Sequence, residues 1–310
     1  MSRAFWRRAA AALLVAAALA FLGLTIADNW AQLTTYPWQV HPVRLALSVP
    51  ALSLAFVWGV FVWHGVLRRF EGPGVPLPRL IRIWFLSTLT RYIPGKIWQF
   101  VSAGQLAQAE GLSAVRMLTS LVTYMGLSLL SAAVLAAITL PLDAYGFGRA
   151  SVMVVDAFAG LSILLVHPRV LNGMLALVPR VLHRETLVWT GSWLDGLLLL
   201  VLAVASWLLY GVAFTLLVGS LVDVPWTTML PLSGVNALSF LAGYFVFIAP
   251  AGLGAREAVM TLLLAPYAPA GVAVLVAVAA RLWTVAGEML GAVVVMLGIR
   301  RRPVNPGETG

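Results

Sequence analysis

The stretch TRYIPGKIWQF, residues 90–100, interrupts a long apolar run with a Pro-Gly pair and two cations. Pro94 removes a backbone hydrogen-bond donor, and Gly95 frees the backbone for a turn, so a helix cannot continue straight through. Arg91 and Lys96 flank the break. A helix that restarts after the break directs unpaired N–H groups and its positive dipole end toward the cations. The stretch therefore predicts a broken helix with a binding site for an anion such as a lipid phosphate. The alternative is that both cations reach the cytoplasmic headgroup layer.

The composition indicates an integral membrane protein. Of 310 residues, 61% are hydrophobic and 10% are charged, whereas a soluble domain carries about a quarter charged residues. The long, nearly charge-free segments predict an all-α polytopic fold. The net charge of +9 fits basic cytoplasmic loops better than a nucleic-acid partner. Cysteine is absent and the four histidines are scattered, so we expect no metal site and no cofactor.

Eight apolar segments follow one another along the chain. Six are predicted as full spans: 9–27, 45–66, 118–140, 150–167, 195–218 and 270–297. The first also resembles a signal peptide, but its length favours an uncleaved span. The other two segments, 81–109 and 229–265, are interrupted by proline and glycine.

Arginine clusters predict the topology. They lie at the N-terminus, in 67–82, in 168–185 and at the C-terminus, so all four regions are expected in the cytoplasm. Residues 298–310 are then a cytoplasmic tail. Because the clean spans already return the chain to the cytoplasm, both interrupted segments must be re-entrant hairpins, entering from opposite sides.

This layout predicts one transmembrane domain, 1–297, with two pseudo-repeats at about 1–140 and 150–297. The repeats have opposite orientation, and interrupted segments at matching positions point to a binding site near the midplane.

The second interruption, APAGLGARE at 249–257, also contains charges that could bind substrate. Its break and the following helix start contain Pro250, Gly252, Gly254, Arg256 and Glu257. Glu257 in a first helical turn is favourable to the dipole. The alternative is a buried structural ion pair.

Arg281 and Glu288 lie seven residues apart in the last span, on one helix face. They are candidates for substrate contact, with helix packing as the alternative. Asn236 and Asp156 are weaker candidates. No metalloprotease, Walker or serine-hydrolase motif occurs, so no catalytic residue is predicted and transport is favoured over an enzyme.

The segments RYIPGKIWQF (91–100) and APAGLGAREA (249–258) resemble the two signature segments of the lysylphosphatidylglycerol synthase transmembrane-region family, which are flippase-like membrane proteins. The resemblance covers roughly 5–297. It implies a multi-pass protein of a bacterial-type inner membrane, and lipid translocation. The best-known members also carry a soluble aminoacyl-transferase domain. Since this sequence ends at Gly310, synthesis of lysylphosphatidylglycerol is not expected, and related stand-alone members are suspected of handling other lipids, including glycolipid precursors.

The resemblance transfers a site role to the matching positions, which are Arg91, Pro94, Gly95, Lys96, Pro250, Gly252, Gly254, Arg256 and Glu257. The leading hypothesis is a flippase that moves an anionic phospholipid or glycolipid-type lipid between leaflets. The alternatives are a membrane-embedded transferase, with Glu257 or Glu288 as base, and a non-catalytic partner of a lipid-modifying or glycosyltransferase system. The expected partners are lipids with an anionic headgroup, with a second copy of the chain or a lipid-modifying enzyme as the protein partner.

Overall fold

The computed structural model describes residues 23–24, 27–28, 30–38, 40–92, 97–140, 148–176, 187–246, 252 and 254–298. Within these residues the regular structure is helical, apart from an isolated bridge between Phe70 and Trp189. The all-α prediction is therefore confirmed. Most of the predicted first span and nearly all of the predicted tail lie outside the described residues.

The helices follow in one series. They are α1 (Trp30–Thr35), α2 (Pro42–Leu67), α3 (Leu77–Thr88), α4 (Trp98–Ala109), α5 (Ala114–Thr139), α6 (Arg149–Leu165), α7 (Pro168–Leu175), α8 (Trp193–Val218), α9 (Met229–Phe245), α10 (Ala255–Leu264) and α11 (Ala270–Gly298). A 3₁₀ turn, Leu89–Tyr92, extends α3, and another, Trp226–Thr228, precedes α9.

Four helices, α2, α5, α8 and α11, are long and apolar enough to cross a membrane. Each has 26 residues or more, which corresponds to about 39 Å of helix, against a hydrocarbon thickness of about 30 Å. They correspond to four of the predicted spans. The described residues contain a fifth candidate when α6 and α7 are counted as one bent pair.

The bend between α6 and α7 measures 94°. It is set by His167, which precedes Pro168 and is held in an extended conformation because proline disfavours a helical residue before it. The His167 ring nitrogen accepts a hydrogen bond from the Arg169 N–H at 3.2 Å and so caps α7. The chain therefore turns sharply at the start of the 168–185 connection, which the sequence predicts to be cytoplasmic.

Helices α2 and α8 pack along each other. Their contact is largely apolar, with Val60 and Phe214 fully buried, and the Trp58 indole donates a hydrogen bond to the Leu202 carbonyl at 3.0 Å. Helix α5 packs on α8 and α9, while α11 packs on α2 and α3. Both interrupted segments thus pack against long helices.

The first interrupted segment is a hairpin of α3 and α4, which pack against each other. Arg79 and Arg82, in the first turns of α3, both pair with Glu110, immediately after α4. The segment therefore begins and ends at the same end of the bundle, next to the start of α5.

The second interrupted segment, α9 and α10, opens at the opposite end. Gly234, near the start of α9, packs on Thr139 and Leu140 at the far end of α5. At the turn of this hairpin, Gly252 has a φ of +72°, and a Cβ there would lie 2.3 Å from the Gly243 carbonyl oxygen. Only glycine allows the backbone of the turn to approach α9 so closely.

A second close contact, between α8 and α9, gives the first prediction. A Cβ on Gly211 would lie 1.7 Å from Oγ and 2.9 Å from Cα of Ser233. Gly211→Ala should therefore force α8 and α9 apart, and we expect the Tm in detergent to fall by about 5 °C.

The matched control is Gly160→Ala on α6, where nothing lies within 4 Å of the added Cβ. Its Tm should be unchanged or higher, because alanine favours helix more than glycine does. Equal melting temperatures for the two variants would contradict the close packing of α8 on α9.

Candidate functional site

The first hairpin is joined to the last long helix by a buried carboxylate. Glu288 on α11 is 2% exposed, forms an ion pair with Arg91 and accepts a hydrogen bond from the Tyr92 hydroxyl at 2.6 Å. Arg91 and Tyr92 lie in the 3₁₀ turn that ends the first arm of the hairpin. Two adjacent residues of the quoted stretch therefore hold one carboxylate inside the bundle.

The second hairpin is joined to the same helix by another carboxylate. Glu257, in the first turn of α10, accepts a hydrogen bond from the Gly254 N–H at 2.7 Å. Gly254 has a φ of +88°, a conformation that favours glycine. The other oxygen of Glu257 lies 3.9 Å from the Arg281 Nε. Glu257 thus caps α10 and lies beside a cation of α11.

Arg256 differs from Arg91 and Arg281, because the hydrogen-bond partner that the structure describes for it is neutral. Its guanidinium donates to the Asn236 side-chain oxygen on α9 at 3.3 Å, and the residue is 7% exposed. Within the described part of the chain, no carboxylate lies within 4 Å of its nitrogens. A buried arginine in a membrane bundle normally has an ionic or ligand partner.

Tyr92 connects the two pairs of charges. Its ring centroid lies 5.5 Å from the Arg91 guanidinium carbon and 5.9 Å from that of Arg281, both within cation–π range. We refer to Arg91, Tyr92, Asn236, Arg256, Glu257, Arg281 and Glu288 as the polar cluster. It contains three arginines and two glutamates, and so has a formal excess of one positive charge.

Two cavities of about 90 Å³ each adjoin the polar cluster. Cavity A lies among the middle turns of α2, α5, α8 and α11, and Glu288 is in its wall. Cavity B lies beside the start of α4 and the end of α9, and Arg281 is in its wall. Arg91 and Arg256 line both cavities, together with Met125 and Phe240. One cation from each hairpin therefore stands at the boundary between the cavities.

A larger, apolar groove of about 390 Å³ lies beside α5. Its walls are aliphatic and aromatic side chains of α5, α6, α7 and α8, including Leu127, Phe158, Leu171 and Leu199. Phe245 closes it at the end of α9. Its chemistry suits hydrocarbon rather than a polar headgroup.

The structure brings most of the described site residues predicted from sequence into one region. Arg91, Arg256, Glu257, Arg281 and Glu288 belong to the polar cluster, and Gly252 and Gly254 shape the adjacent turn. The predicted positions Pro94, Gly95, Lys96 and Pro250 lie outside the described residues. Arg281 contacts Glu257, as the ion-pair alternative for Glu257 allows, while Glu288 contacts Arg91.

Sequence reasoning missed the aromatic part of this region. Tyr92 is adjacent to Arg91 in the motif, and that position could have drawn attention to it. Trp84, Tyr124 and Tyr210 in the wall of cavity A carry no comparable signal. Asn236 and Asp156 are the two weaker candidates from the sequence. Asn236 is buried in the polar cluster, whereas Asp156 is exposed on α6.

The family model of the lysylphosphatidylglycerol synthase TM region matches residues 8–291. The chain belongs to this family. A search of curated proteins gave no significant match. Membership together with the long apolar helices identifies a multi-pass membrane protein of lipid metabolism or transport. The polar cluster, which includes residues of both signature segments, lies in the interior of that membrane bundle.

The Arg91–Glu288 pair gives the second prediction. Arg91→Gln leaves a buried carboxylate without its cation and should destabilise the protein by about 3 kcal/mol. In Arg91→Gln with Glu288→Gln, no unpaired charge remains, so much of the loss should be recovered. Thermal unfolding of the two single variants and the double variant in detergent measures this coupling.

The matched control is the pair Arg69–Asp195, whose side chains are 30% and 28% exposed. Arg69→Gln should cost about 1 kcal/mol or less, as solvent-accessible pairs usually do. Additive losses for Arg91→Gln and Glu288→Gln would show that the two groups are not coupled.

Proposed function

We propose that this protein moves a lipid with an anionic headgroup between the two leaflets, as a flippase or transporter. The observation that carries the proposal is that Arg91 and Arg256, one from each hairpin, line two adjoining cavities in the interior of the bundle. A group bound by these cations is in reach of both cavities. The proposal is consistent with the family, whose model covers both arginines.

The charge of the cluster supports an anionic headgroup. Two of its three arginines lie within 4 Å of a carboxylate, whereas Arg256 contacts the neutral amide of Asn236. Removing a guanidinium from water costs several kcal/mol unless a counter-charge is supplied. A phosphate between Arg256 and Arg91 would supply that charge and accept hydrogen bonds from both groups.

The arrangement of the hairpins supports transport. The first hairpin opens at one end of the bundle and the second at the other, and both reach the polar cluster. We propose that they are the corresponding elements of an inverted-topology repeat, at about 1–140 and 150–297, with both termini in the cytoplasm. In such repeats, rocking of one unit against the other exposes a central site to each side in turn.

The apolar groove supplies a place for hydrocarbon beside the polar site. Met125 of α5 lines the cavities, whereas Val122 and Gly126 of the same helix line the groove. A lipid headgroup can therefore sit at the cluster while acyl chains remain in an apolar environment. The polar headgroup then stays hydrogen-bonded, and the free-energy cost of moving it into an apolar environment is avoided.

Lipid movement in reconstituted vesicles gives the third prediction. We expect the protein to flip a fluorescent anionic lipid between leaflets faster than a fluorescent zwitterionic lipid of equal chain length. Arg91→Ala combined with Arg256→Ala should lower the anionic rate at least ten-fold, because both headgroup cations are removed. Dithionite quenching of the fluorophore in the outer leaflet measures the rate.

Arg69→Ala is the control, since it also removes an arginine but one that pairs with Asp195 outside the cavities. Size-exclusion chromatography and thermal melting establish that each variant is folded. An anionic flipping rate that survives in the folded double variant would exclude a headgroup role for the two cations.

The topology gives the fourth prediction, and the chain suits it because it contains no cysteine. Glu71→Cys, before α3, and Asp223→Cys, before α9, each place one thiol at an exposed position. In intact cells a membrane-impermeant maleimide should label Asp223→Cys, while Glu71→Cys should require membrane permeabilisation. Labelling of both thiols from the same side would contradict hairpins that enter from opposite sides.

A further inference from the structure

The wall of cavity A includes a tryptophan whose buried N–H has no partner in the described structure. Trp84 on α3 is 9% exposed, lines the cavity, and its indole N–H has no partner within the described residues. Its neighbour Trp63, with ring centroids 6.3 Å apart, donates to the Ser120 hydroxyl at 3.1 Å. Buried donors are almost always paired, and because Trp84 is part of the wall of cavity A, its N–H is a group that a ligand bound there could satisfy.

A second unsatisfied donor and several hydroxyls line the same space. Arg91 Nε also lacks a hydrogen-bond partner among the described residues. The Tyr210 hydroxyl lies 3.0 Å from Thr284 Oγ1, which itself donates to the Ala280 carbonyl at 2.8 Å. Tyr210 is therefore the donor in that contact, and its oxygen can still accept a hydrogen bond. The wall of cavity A therefore carries unsatisfied N–H donors together with a hydroxyl oxygen that can accept a hydrogen bond.

Aromatic rings form much of the remaining wall. Phe56 and Tyr210 meet edge to face at 5.9 Å, and Trp207 adjoins Tyr210 at 6.0 Å. Trp84 and Tyr124 also meet edge to face, at 5.9 Å. Such walls cover C–H surfaces, while the N–H and O–H groups at their edges bond polar atoms. A polyol or sugar presents both kinds of surface, whereas a simple alkyl group presents only one.

We infer that cavity A is a subsite for an uncharged, hydroxylated part of the lipid headgroup, a polyol or sugar linked to the phosphate. The inference rests on the proposed function, in which Arg91 and Arg256 bind the phosphate. The Trp84 N–H donates to a headgroup oxygen, and the hydroxyls of Tyr124 and Tyr210 complete the contacts. The subsite thus selects among anionic lipids by the group beyond the phosphate.

Two phosphodiester lipids of equal charge test this subsite. Phosphatidylinositol carries a ring of hydroxyls, whereas phosphatidylmethanol of the same acyl composition carries a methyl group. Binding of each to purified protein in nanodiscs is measured by displacement of a fluorescent anionic lipid. The unmodified protein should bind the inositol lipid at least five-fold more tightly.

Trp84→Phe removes the N–H and keeps an aromatic ring. It should weaken binding of the inositol lipid about five-fold, the effect of one hydrogen bond, and leave the methanol lipid unchanged. Trp63→Phe is the matched control, because its N–H bonds Ser120 outside the cavity, and it should change neither affinity. Tyr124→Phe removes one hydroxyl from the wall and should weaken the inositol lipid about three-fold. If Trp84→Phe does not fold, the inositol-lipid affinity of Tyr124→Phe tests the subsite in its place.

The outcomes separate this inference from the proposed function. Equal affinities of the unmodified protein for the two lipids, or equal weakening of both by Trp84→Phe, would overturn the subsite. An unchanged inositol affinity in folded Trp84→Phe would show that water alone satisfies the N–H, and would also overturn it. Loss of both lipids in Arg91→Ala with Arg256→Ala tests the phosphate site independently, and absence of that loss would contradict the proposed function itself.

Discussion

A carboxylate inside a lipid bilayer must be paired, and the arrangement of this bundle follows from how two carboxylates are paired. Glu288 is held by Arg91 and Tyr92 of the first hairpin, and Glu257 of the second hairpin lies beside Arg281. Because Glu288 and Arg281 both belong to α11, one helix is bound to both hairpins. Loss of either pair would leave a buried charge, a cost of several kcal/mol that no apolar contact nearby compensates.

The interrupted backbones are what bring these charges together. A continuous helix satisfies its own polar groups and presents its side chains along one axis, whereas a hairpin ends inside the bundle. The second hairpin needs glycine at two points. Gly252 lets the turn lie against Gly243, and Gly254 directs its N–H to Glu257. Gly252, Gly254 and Glu257 therefore act together to place a helix start beside α11.

The sequence predicted the helical class, six full spans and two interrupted segments, because apolar length and breaks in it are local properties. Four of the six spans are long apolar helices in the described structure. It also identified five charged members of the polar cluster, since charges in apolar segments are rare. It did not predict their partners. Arg281 and Glu288 share a helix face, yet each pairs with a different hairpin, a choice made by tertiary packing. Trp84 was missed because an aromatic residue in an apolar helix looks the same whether it faces lipid or a cavity.

The distribution of charge within the cluster favours binding at one place. Arg91 and Arg281 are each near a carboxylate, whereas Arg256 has a neutral amide partner in the described structure. If a phosphate enters as proposed, it therefore gains most from Arg256, and it can reach Arg91 only in competition with Glu288. Such competition would weaken the contact between the first hairpin and α11 when a headgroup is bound. Binding energy would then be available to move that hairpin, which is the requirement that any ligand-driven change of conformation must meet.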